Sequence, residues 1–560
     1  MKVSEAVADA LAVEADGPIF GLMGDANMAI WDALVKDGRS RVIWSRHDGA
    51  AVLMTDGYAK ATGRLGVCTV TCGPGLANCA NALITAARAQ TPMVIFTGHY
   101  VDDGGKAGLQ AMDQRRFAQA CECEYRLISN LDSMAEDIAE GFYTARTKNC
   151  PVVLDMPSAL WDAELHWDWD YKPSTGFVPY RAYPPSTEAL QMLADRLRQA
   201  RNPVIIAGRG AVMAGAHEAI ERLGDMTGAL LATSLLAKGY FRGNPWDIGV
   251  SGSFSSAPTE QLMARADFVL GLGASLNFYT SEGGMLFPNA QVVRVDVKPF
   301  PPTIGNSPGH YFQGDALKTA EALTKILSGS ALSEGFRTAE TRAVLQMPTE
   351  TPPAPTDGLD PRELMRRLSA ALPDGTQVVS GGGHFWSWPV AHLMLPAGGR
   401  FQHSVAFGSI GLGLAHGIGA AAGRPDLFTL VVEGDGSFLQ AIQELHAAAE
   451  QGIRLAVLIM NDSGYGAEVL KLKWKNRDPR NASWNSPDFV TVAKSFGGDG
   501  VRLGAEADIT DAIVRAMQSK GPFVIDARIS PTEVSDSYGR LFLGQQNRIP
   551  LLRSSATHQA

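Results

Sequence analysis

Cysteine is scarce and confined: all six, Cys68, Cys72, Cys79, Cys121, Cys123 and Cys150, lie before residue 151 of a 560-residue chain. No Cys-x-x-Cys pair occurs, so Cys72, Cys79, Cys121 and Cys123 lack zinc-site spacing, and small buried thiols in a reducing compartment are expected. Charge is sparing as well. Only 19% of residues are charged and the net charge is −9, which argues against nucleic acid as a partner. No apolar run reaches the ~20 residues that a membrane span needs. The first ten residues, Met1 to Ala10, read as the start of an amphipathic helix with acids in it, not as a signal peptide. No short tandem repeat is present. These absences leave a globular protein, 45% hydrophobic, with a cytoplasmic location expected. The chain is too long for one core, so several domains are expected.

What is present is organised around residues 427–461. An apolar strand, Leu427 to Val432, stops just before Gly434-Asp435-Gly436-Ser437. A helical pattern covers Phe438 to Gln451, and a second apolar strand, Arg454 to Met460, ends at Asn461. This β-α-β unit places Asp435 and Asn461 at the carboxyl ends of two parallel strands, the edge where open α/β sheets bind ligands. Two oxygen-bearing side chains suit a hard cation such as Mg²⁺, which commonly bridges to phosphate. Gly434 and Gly436 allow backbone amides to approach that phosphate, and Ser437 opens a helix whose positive end favours an anion.

The rest of the chain also alternates strand and helix, which implies parallel sheets covered on both faces and a doubly wound α/β fold. Residues 1–165 read as one domain, with strands at Ile19–Leu22, Val42–Trp44, Gly66–Thr71, Met93–Phe96 and Val152–Leu154. Three strand-end loops stand out there: Gly21 to Asn27, Arg46 to Ala51, and the Gly-rich turn Thr71 to Asn78. Residues 166–185 read as a linker. A second α/β domain covers 186–340, with strands at Pro203–Ala207, Ala229–Ala232, Phe268–Leu272 and Gln291–Asp296. Its first turn, Gly208-Arg209-Gly210 to Gly215, misses the Gly-x-Gly-x-x-Gly spacing because the third glycine comes two residues late. A Pro-rich linker, 346–361, leads into a third domain over 359–530, where the strand Gln377 to Ser380 runs into Gly381-Gly382-Gly383-His384. Residues 531–560 read as a tail, disordered at its end. The basic stretch Lys471 to Arg477 reads as a solvated face or a loop over the site.

The Gly-Asp-Gly unit, with Asn 26 residues after the Asp, resembles the diphosphate-binding signature of thiamine diphosphate enzymes. The stretches RHDGAAVLMTDGYAKATGRLGV and TCGPGLANCANAL are similar to the pyrimidine-binding domain of the acetolactate synthase, benzoylformate decarboxylase and benzaldehyde lyase group. Leu109-Gln110-Ala-Met-Asp-Gln114 matches a further loop of that group. The resemblance covers nearly the whole chain and implies three domains: pyrimidine-binding, middle and diphosphate-binding. It implies Asp435, Asn461 and the Ser463 carbonyl as Mg²⁺ ligands. Gly382, Gly383, His384, Gly434, Gly436, Ser437, Gly464 and Tyr465 would lie at the diphosphate, and Thr71, Gly73 and Asn78 at the pyrimidine. The Gly408 carbonyl would accept from N4′–H, and Ile410 would hold the cofactor bent. Catalytic roles fall to Asp48, Gln110 and His99.

Asp48 departs from the pattern, because the group usually has Glu there. That carboxylate hydrogen-bonds N1′ of the aminopyrimidine and so promotes removal of the thiazolium C2 proton. Asp is one methylene short, and a displacement of about 1 Å can cost on the order of 10²-fold in rate. Read without the resemblance, Asp48 is a helix N-cap beside a glycine.

The implied activity is that of a thiamine diphosphate- and Mg²⁺-dependent lyase or carboligase. It would cleave or form a C–C bond next to a carbonyl through a C2 carbanion and an enamine, on a small-molecule carbonyl substrate. Candidates for the substrate pocket are Asp25, Asn27, Thr71, Cys72, His99, Gln110, His384, His403 and Glu468. The alternatives are an FAD-containing acetolactate synthase and a thiamine diphosphate-binding protein without catalysis. FAD or ADP in the middle domain is not expected. The resemblance also implies a homodimer or homotetramer with active sites between subunits.

Overall fold

The computed structural model describes residues 1–100, 106–177, 182–298, 309–329, 334–347, 353–504 and 508–539. It contains three sheets of six strands each, every pairing parallel. The first sheet is built from β1 (Ile19–Gly21), β2 (Val42–Trp44), β3 (Gly66–Thr69), β4 (Met93–His99), β5 (Glu124–Leu127) and β6 (Pro151–Pro157), in the order β2-β1-β3-β4-β6-β5. The second comprises β7 (Pro203–Ala207), β8 (Leu230–Thr233), β9 (Asp247–Val250), β10 (Phe268–Leu272), β11 (Gln291–Asp296) and β12 (Gly309–Gln313). Its order, β12-β11-β10-β7-β8-β9, reverses between β7 and β10 in the doubly wound manner. The third has β13 (Gln377–Ser380), β14 (Arg400–His403), β15 (Thr429–Gly434), β16 (Ala456–Asn461), β17 (Asp499–Leu503) and β18 (Phe523–Arg528). Its order, β14-β13-β15-β16-β18-β17, repeats that of the first sheet. In these two sheets the order reverses between β1 and β3 and between β13 and β15, so ligand crevices are expected at the carboxyl ends of those pairs.

Two expectations are corrected. The helical pattern over Phe438–Gln451 is two helices, Asp435–Leu439 and Glu444–Glu450. Between them Gln440 lies against the Gly411 backbone, where a Cβ on Gly411 would come within 2.6 Å of its Oε1. The segment 166–177 is not a free linker. Its aromatic residues pack on the first domain: Tyr171 donates to Glu14 (2.9 Å), Trp169 to Asp9 (2.7 Å), and Ser174 N–H to Glu14 (2.5 Å). Residues 178–181 and 348–352 of the two expected linkers, and 540–560 of the tail, lie outside the described residues. Five cysteines are buried, Cys150 is partly so, and all are free thiols, as expected. Among the described residues no helix is long and apolar enough to cross a membrane.

The first and third domains meet backbone to backbone. The helix Asp48–Thr62 crosses the helix Gly413–Gly423 so closely that a Cβ on Gly57 would lie 1.9 Å from the His416 carbonyl oxygen, and one on Gly419 would lie 1.7 Å from that of Met54. Beside this crossing Asp56 is fully buried; it accepts from Lys60 (2.8 Å) and Thr91 (2.6 Å), and His416 Nδ1 lies 3.0 Å from it. Burial alone would raise the Asp56 pKa, but Lys60 and His416 more than offset it and hold the carboxyl well below the usual range. A second tie comes from Glu444, which accepts from the Arg46 N–H (3.0 Å) and so fixes the loop entering Asp48. Burial pushes its carboxyl up to about 7.

This crossing yields a test. Gly419→Ala has no room to be absorbed, because the obstacle is backbone rather than a movable side chain. It should destabilise the protein by about 3 kcal/mol, the upper end for overpacking. Denaturant unfolding that leaves the midpoint of Gly419→Ala at the wild-type value would show that the helices do not cross as described.

Candidate active site

At the third sheet, β15 and β16 are neighbours, with Gly434 paired to Met460. Asp435 follows β15 directly and Asn461 ends β16; both are buried. One hydroxyl, Ser486 Oγ, lies 3.0 Å from Asp435 Oδ2, 2.9 Å from Asn461 Oδ1 and 3.3 Å from Ser463 Oγ. Asn461 Nδ2 donates to Asp526 (2.8 Å), which turns its Oδ1 toward Asp435. Asp435 Oδ1 is buried with no hydrogen-bond partner. Burial raises the Asp435 carboxyl, and burial plus Asp435 itself pushes Asp462 well above the carboxylate range. Ser463 adopts φ +59°, and its carbonyl accepts one hydrogen bond, from Trp484 N–H (3.0 Å), leaving a second lone pair. Converging oxygens, an orphaned buried carboxylate oxygen and uncompensated negative charge fit a hard divalent cation held by Asp435, Asn461 and Ser463.

Around this point the glycines make a cradle. Gly436 faces the Tyr465 and Trp484 rings, which would stand 2.7 and 2.9 Å from a Cβ there. Gly464 pairs with Ser483 in an isolated antiparallel bridge. Gly381 and Gly413 both abut Glu433, whose carboxyl would stand 2.0 and 1.9 Å from a Cβ on each. Glu433 accepts from the Ser437 hydroxyl, and Ser437 Oγ accepts from Gly411 N–H (2.7 Å). This chain ties the Gly-Asp-Gly-Ser turn to the loop carrying Gly408 (φ +80°) and the half-buried Ile410. Burial pushes Glu433 up to about 8, so it is a neutral acid at neutral pH. Gly382, Gly383 and His384 follow β13. His384 is buried, its Nε2 has no partner, and burial brings it down to about 4, so it is neutral.

On the first domain, Asp48 is 7% exposed and begins its helix. The N-cap is His47, whose Nδ1 accepts from Gly49 N–H (3.1 Å), so the capping reading of Asp48 is corrected. Asn78 Nδ2 donates to Asp48 Oδ2 (3.1 Å), leaving Oδ1 facing the Thr71–Gly75 turn. Gly73 (φ +50°) packs on the Gln110 backbone, where a Cβ would sit 2.1 Å from the carbonyl oxygen. Cys72 Sγ contacts Gln110 Oε1 at 3.5 Å. Thr71 Oγ1 accepts from Ala26 N–H (3.3 Å). Asn27 is not free for substrate: its side chain bonds Gly24 N–H, the Leu22 carbonyl and Thr69. His99 ends β4 with Nδ1 2.8 Å from Asp155. His403 is committed to the fold, accepting from Val405 N–H (3.1 Å), and burial lowers it to about 3. Glu468 is exposed and pairs with Lys471 (3.1 Å).

The structure thus gathers Asp48, Thr71, Gly73, Asn78 and Gln110 at one edge, and Asp435, Asn461, Ser463, Ser437 and the Gly382–His384 loop at another. The two edges approach where Asn81 donates to Ser409 (2.7 Å) and Arg88 covers the Phe407 ring at 4.5 Å. Among the described residues no hydrogen bond or ion pair joins Asp48 to the Asp435–Asn461 set. Sequence reasoning missed Glu433, Ser486, Asp155 and Asp526. Three of these are acids inside otherwise apolar strands, which is a legible signal; Ser486 lies in a loop and gives none.

Two of the three parallel sheets are like-ordered, one with an oxygen site at its edge and the other with a buried carboxylate at its edge, an α/β architecture suited to binding a cofactor with two of its domains. The N-terminal TPP binding domain of thiamine pyrophosphate enzymes matches residues 1–117, the central domain 190–323 and the C-terminal TPP binding domain 381–527. The acetolactate synthase large subunit of Corynebacterium glutamicum is 26% identical over 91% of this chain and 83% of its own. Acetolactate synthase 1, chloroplastic, of Zea mays is 26% identical over 91% and 82%, and the acetolactate synthase of Arthrospira platensis 26% over 94% of each. The chain belongs to the thiamine pyrophosphate enzymes, in the group of the acetolactate synthases.

The oxygen site predicts the effect of removing it. Asp435→Ala should lose Mg²⁺-dependent thiamine diphosphate binding by calorimetry, and the rise in melting temperature that the pair gives wild type should vanish. Unchanged cofactor affinity in Asp435→Ala would refute the assignment.

Proposed function

We propose that the protein is a thiamine diphosphate- and Mg²⁺-dependent lyase or carboligase acting on a 2-oxo acid or an acyloin. The observation that carries this is the convergence of Asp435 and Asn461, from adjacent strands, on one hydroxyl, with a carboxylate oxygen left unpaired at the sheet edge.

Thiamine diphosphate, when bound, supplies a thiazolium carbon that adds to a carbonyl and holds the electron pair released when the neighbouring C–C bond breaks. The chain's own residues bind and orient. Asp435, Asn461 and the Ser463 carbonyl would hold Mg²⁺. Gly382, Gly383, His384, Gly434, Gly436, Ser437, Gly464 and Tyr465 would surround the diphosphate, and neutral His384 can donate to it without carrying charge. Thr71, Gly73 and Asn78 would border the aminopyrimidine, the Gly408 carbonyl would accept from N4′–H, and Ile410 would keep the cofactor bent. Asp48 would hold a proton at N1′ through Oδ1, since Asn78 occupies Oδ2. Gln110 and His99 would face the substrate. A second reading, an FAD-containing acetolactate synthase, is favoured by the relatives' extent of match; a flavin spectrum in the purified protein would support it, and a colourless protein would count against it.

A panel of 2-oxo acids and acyloins, each with and without thiamine diphosphate and Mg²⁺, tests the activity. Turnover of at least one, dependent on both additions, is expected; turnover of none would sink the reading.

We also propose a homodimer or homotetramer whose sites combine the first domain of one subunit with the third of another. Exposure of Phe407 and Gly408 on the single chain supports this. Inactive Asp48→Ala and Asp435→Ala chains, refolded together, should then regain activity, because each hetero-dimer holds one intact site. Activity no higher than in either variant alone would argue against shared sites.

A further inference from the structure

Beneath the Gly73 turn lies a buried polar network that the roles above do not use. Asp155, in β6, is 1% exposed. Its Oδ2 accepts from the Tyr125 hydroxyl (2.7 Å) and from Gln114 Nε2 (2.8 Å). Its Oδ1 lies 2.8 Å from His99 Nδ1. Gln114 cannot be turned round, because its Oε1 accepts from Gly73 N–H (2.9 Å) while its Nε2 also reaches the Gly98 carbonyl (3.1 Å). Tyr125 keeps its proton, since burial and then Asp155 raise its pKa. Facing the carboxylate both groups donate, and the anchored Gln114 NH₂ can do nothing else.

We infer that Asp155 is a positioning residue that holds His99 in the tautomer with the proton on Nδ1, leaving the lone pair of Nε2 as the group presented at the sheet edge. Nε2 has no hydrogen-bond partner among the described residues, and the side chain is 22% exposed whereas that of Asp155 is 2% exposed. The inference rests on the reading that His99 serves the reacting centre, and it explains how a lone histidine could do so. Gln114 couples the same carboxylate to the Gly73 turn, so imidazole and turn are set by one group.

Asp155→Asn tests this. The anchored Gln114 NH₂ requires the amide oxygen at the Oδ2 position, so its NH₂ faces His99. His99 Nδ1 must then accept, and the proton moves to Nε2 with the ring in place. Ethoxyformylation of His99, followed by peptide mass mapping without cofactor, reads the free lone pair. In Asp155→Asn it should slow by about tenfold or more relative to the exposed His166, and kcat should fall by on the order of 10²- to 10⁴-fold. Unchanged His99 reactivity would overturn the inference. Slowed reactivity with unchanged kcat would uphold the tautomer and sink the role of His99 in turnover. Wild type gives a check that needs no folded variant of Asp155: the ¹⁵N spectrum of histidine-labelled protein, minus that of His99→Gln, should show protonated Nδ1, and protonated Nε2 would overturn the inference.

Discussion

The crossing of the helices Asp48–Thr62 and Gly413–Gly423 is the constraint that fixes how the first and third domains of one chain sit against each other. Asp48 is the first residue of one helix, and the loop from Gly408 to Leu412 feeds the other. Glycines at 57 and 419 let the backbones touch, so the separation of those starting points is set by backbone contact rather than by adjustable side chains. The buried Asp56, paired with Lys60 on its own helix, then reaches across the contact to His416 Nδ1 at 3.0 Å, and sliding either helix would separate the buried carboxyl from that ring.

Much of the fold was legible because interior strands of parallel sheets are continuous apolar runs. Pro203–Ala207, Phe268–Leu272 and Gln291–Asp296 fall where the runs do. The strands that the pattern does not reveal are β5, β9, β12, β14, β17 and β18. The first five are edge strands, each with one neighbour, and segments such as Glu124–Leu127 and Gly309–Gln313 lack a continuous apolar run. The sixth is interior, but Asp526 interrupts its apolar run. The stretch Phe438–Gln451 looks like one helix because periodicity does not see Gln440 pressed against Gly411.

The strand-end placement of Asp435 and Asn461 was legible for a related reason: parallel strands must deliver their carboxyl ends to one edge. What supports them was not, because those groups act through packing between segments far apart in sequence. Ser486 reaches Asp435 from 51 residues away, and Asp526 reaches Asn461 from 65.

The acids hidden in the strands share one task and meet the cost of burial in three ways. Asp526 fixes Asn461 and is offset by Arg528 at 3.1 Å and Arg502 at 3.5 Å. Glu433 fixes Ser437 and is kept neutral by a raised pKa. Asp155 fixes His99 and has donors on both oxygens, from Tyr125, Gln114 and the imidazole. Each choice suits its location. A cationic neighbour at Glu433 would compete with a cation at Asp435 for the same electrostatic attraction, whereas a neutral acid there supplies hydrogen bonding without adding to the negative charge. At Asp526 the carboxylate lies behind the Asn461 amide, so its arginine partners offset it from the side away from Asn461 Oδ1. At Asp155 the donors Tyr125 and Gln114 occupy Oδ2, which leaves Oδ1 as the acceptor that faces His99 Nδ1.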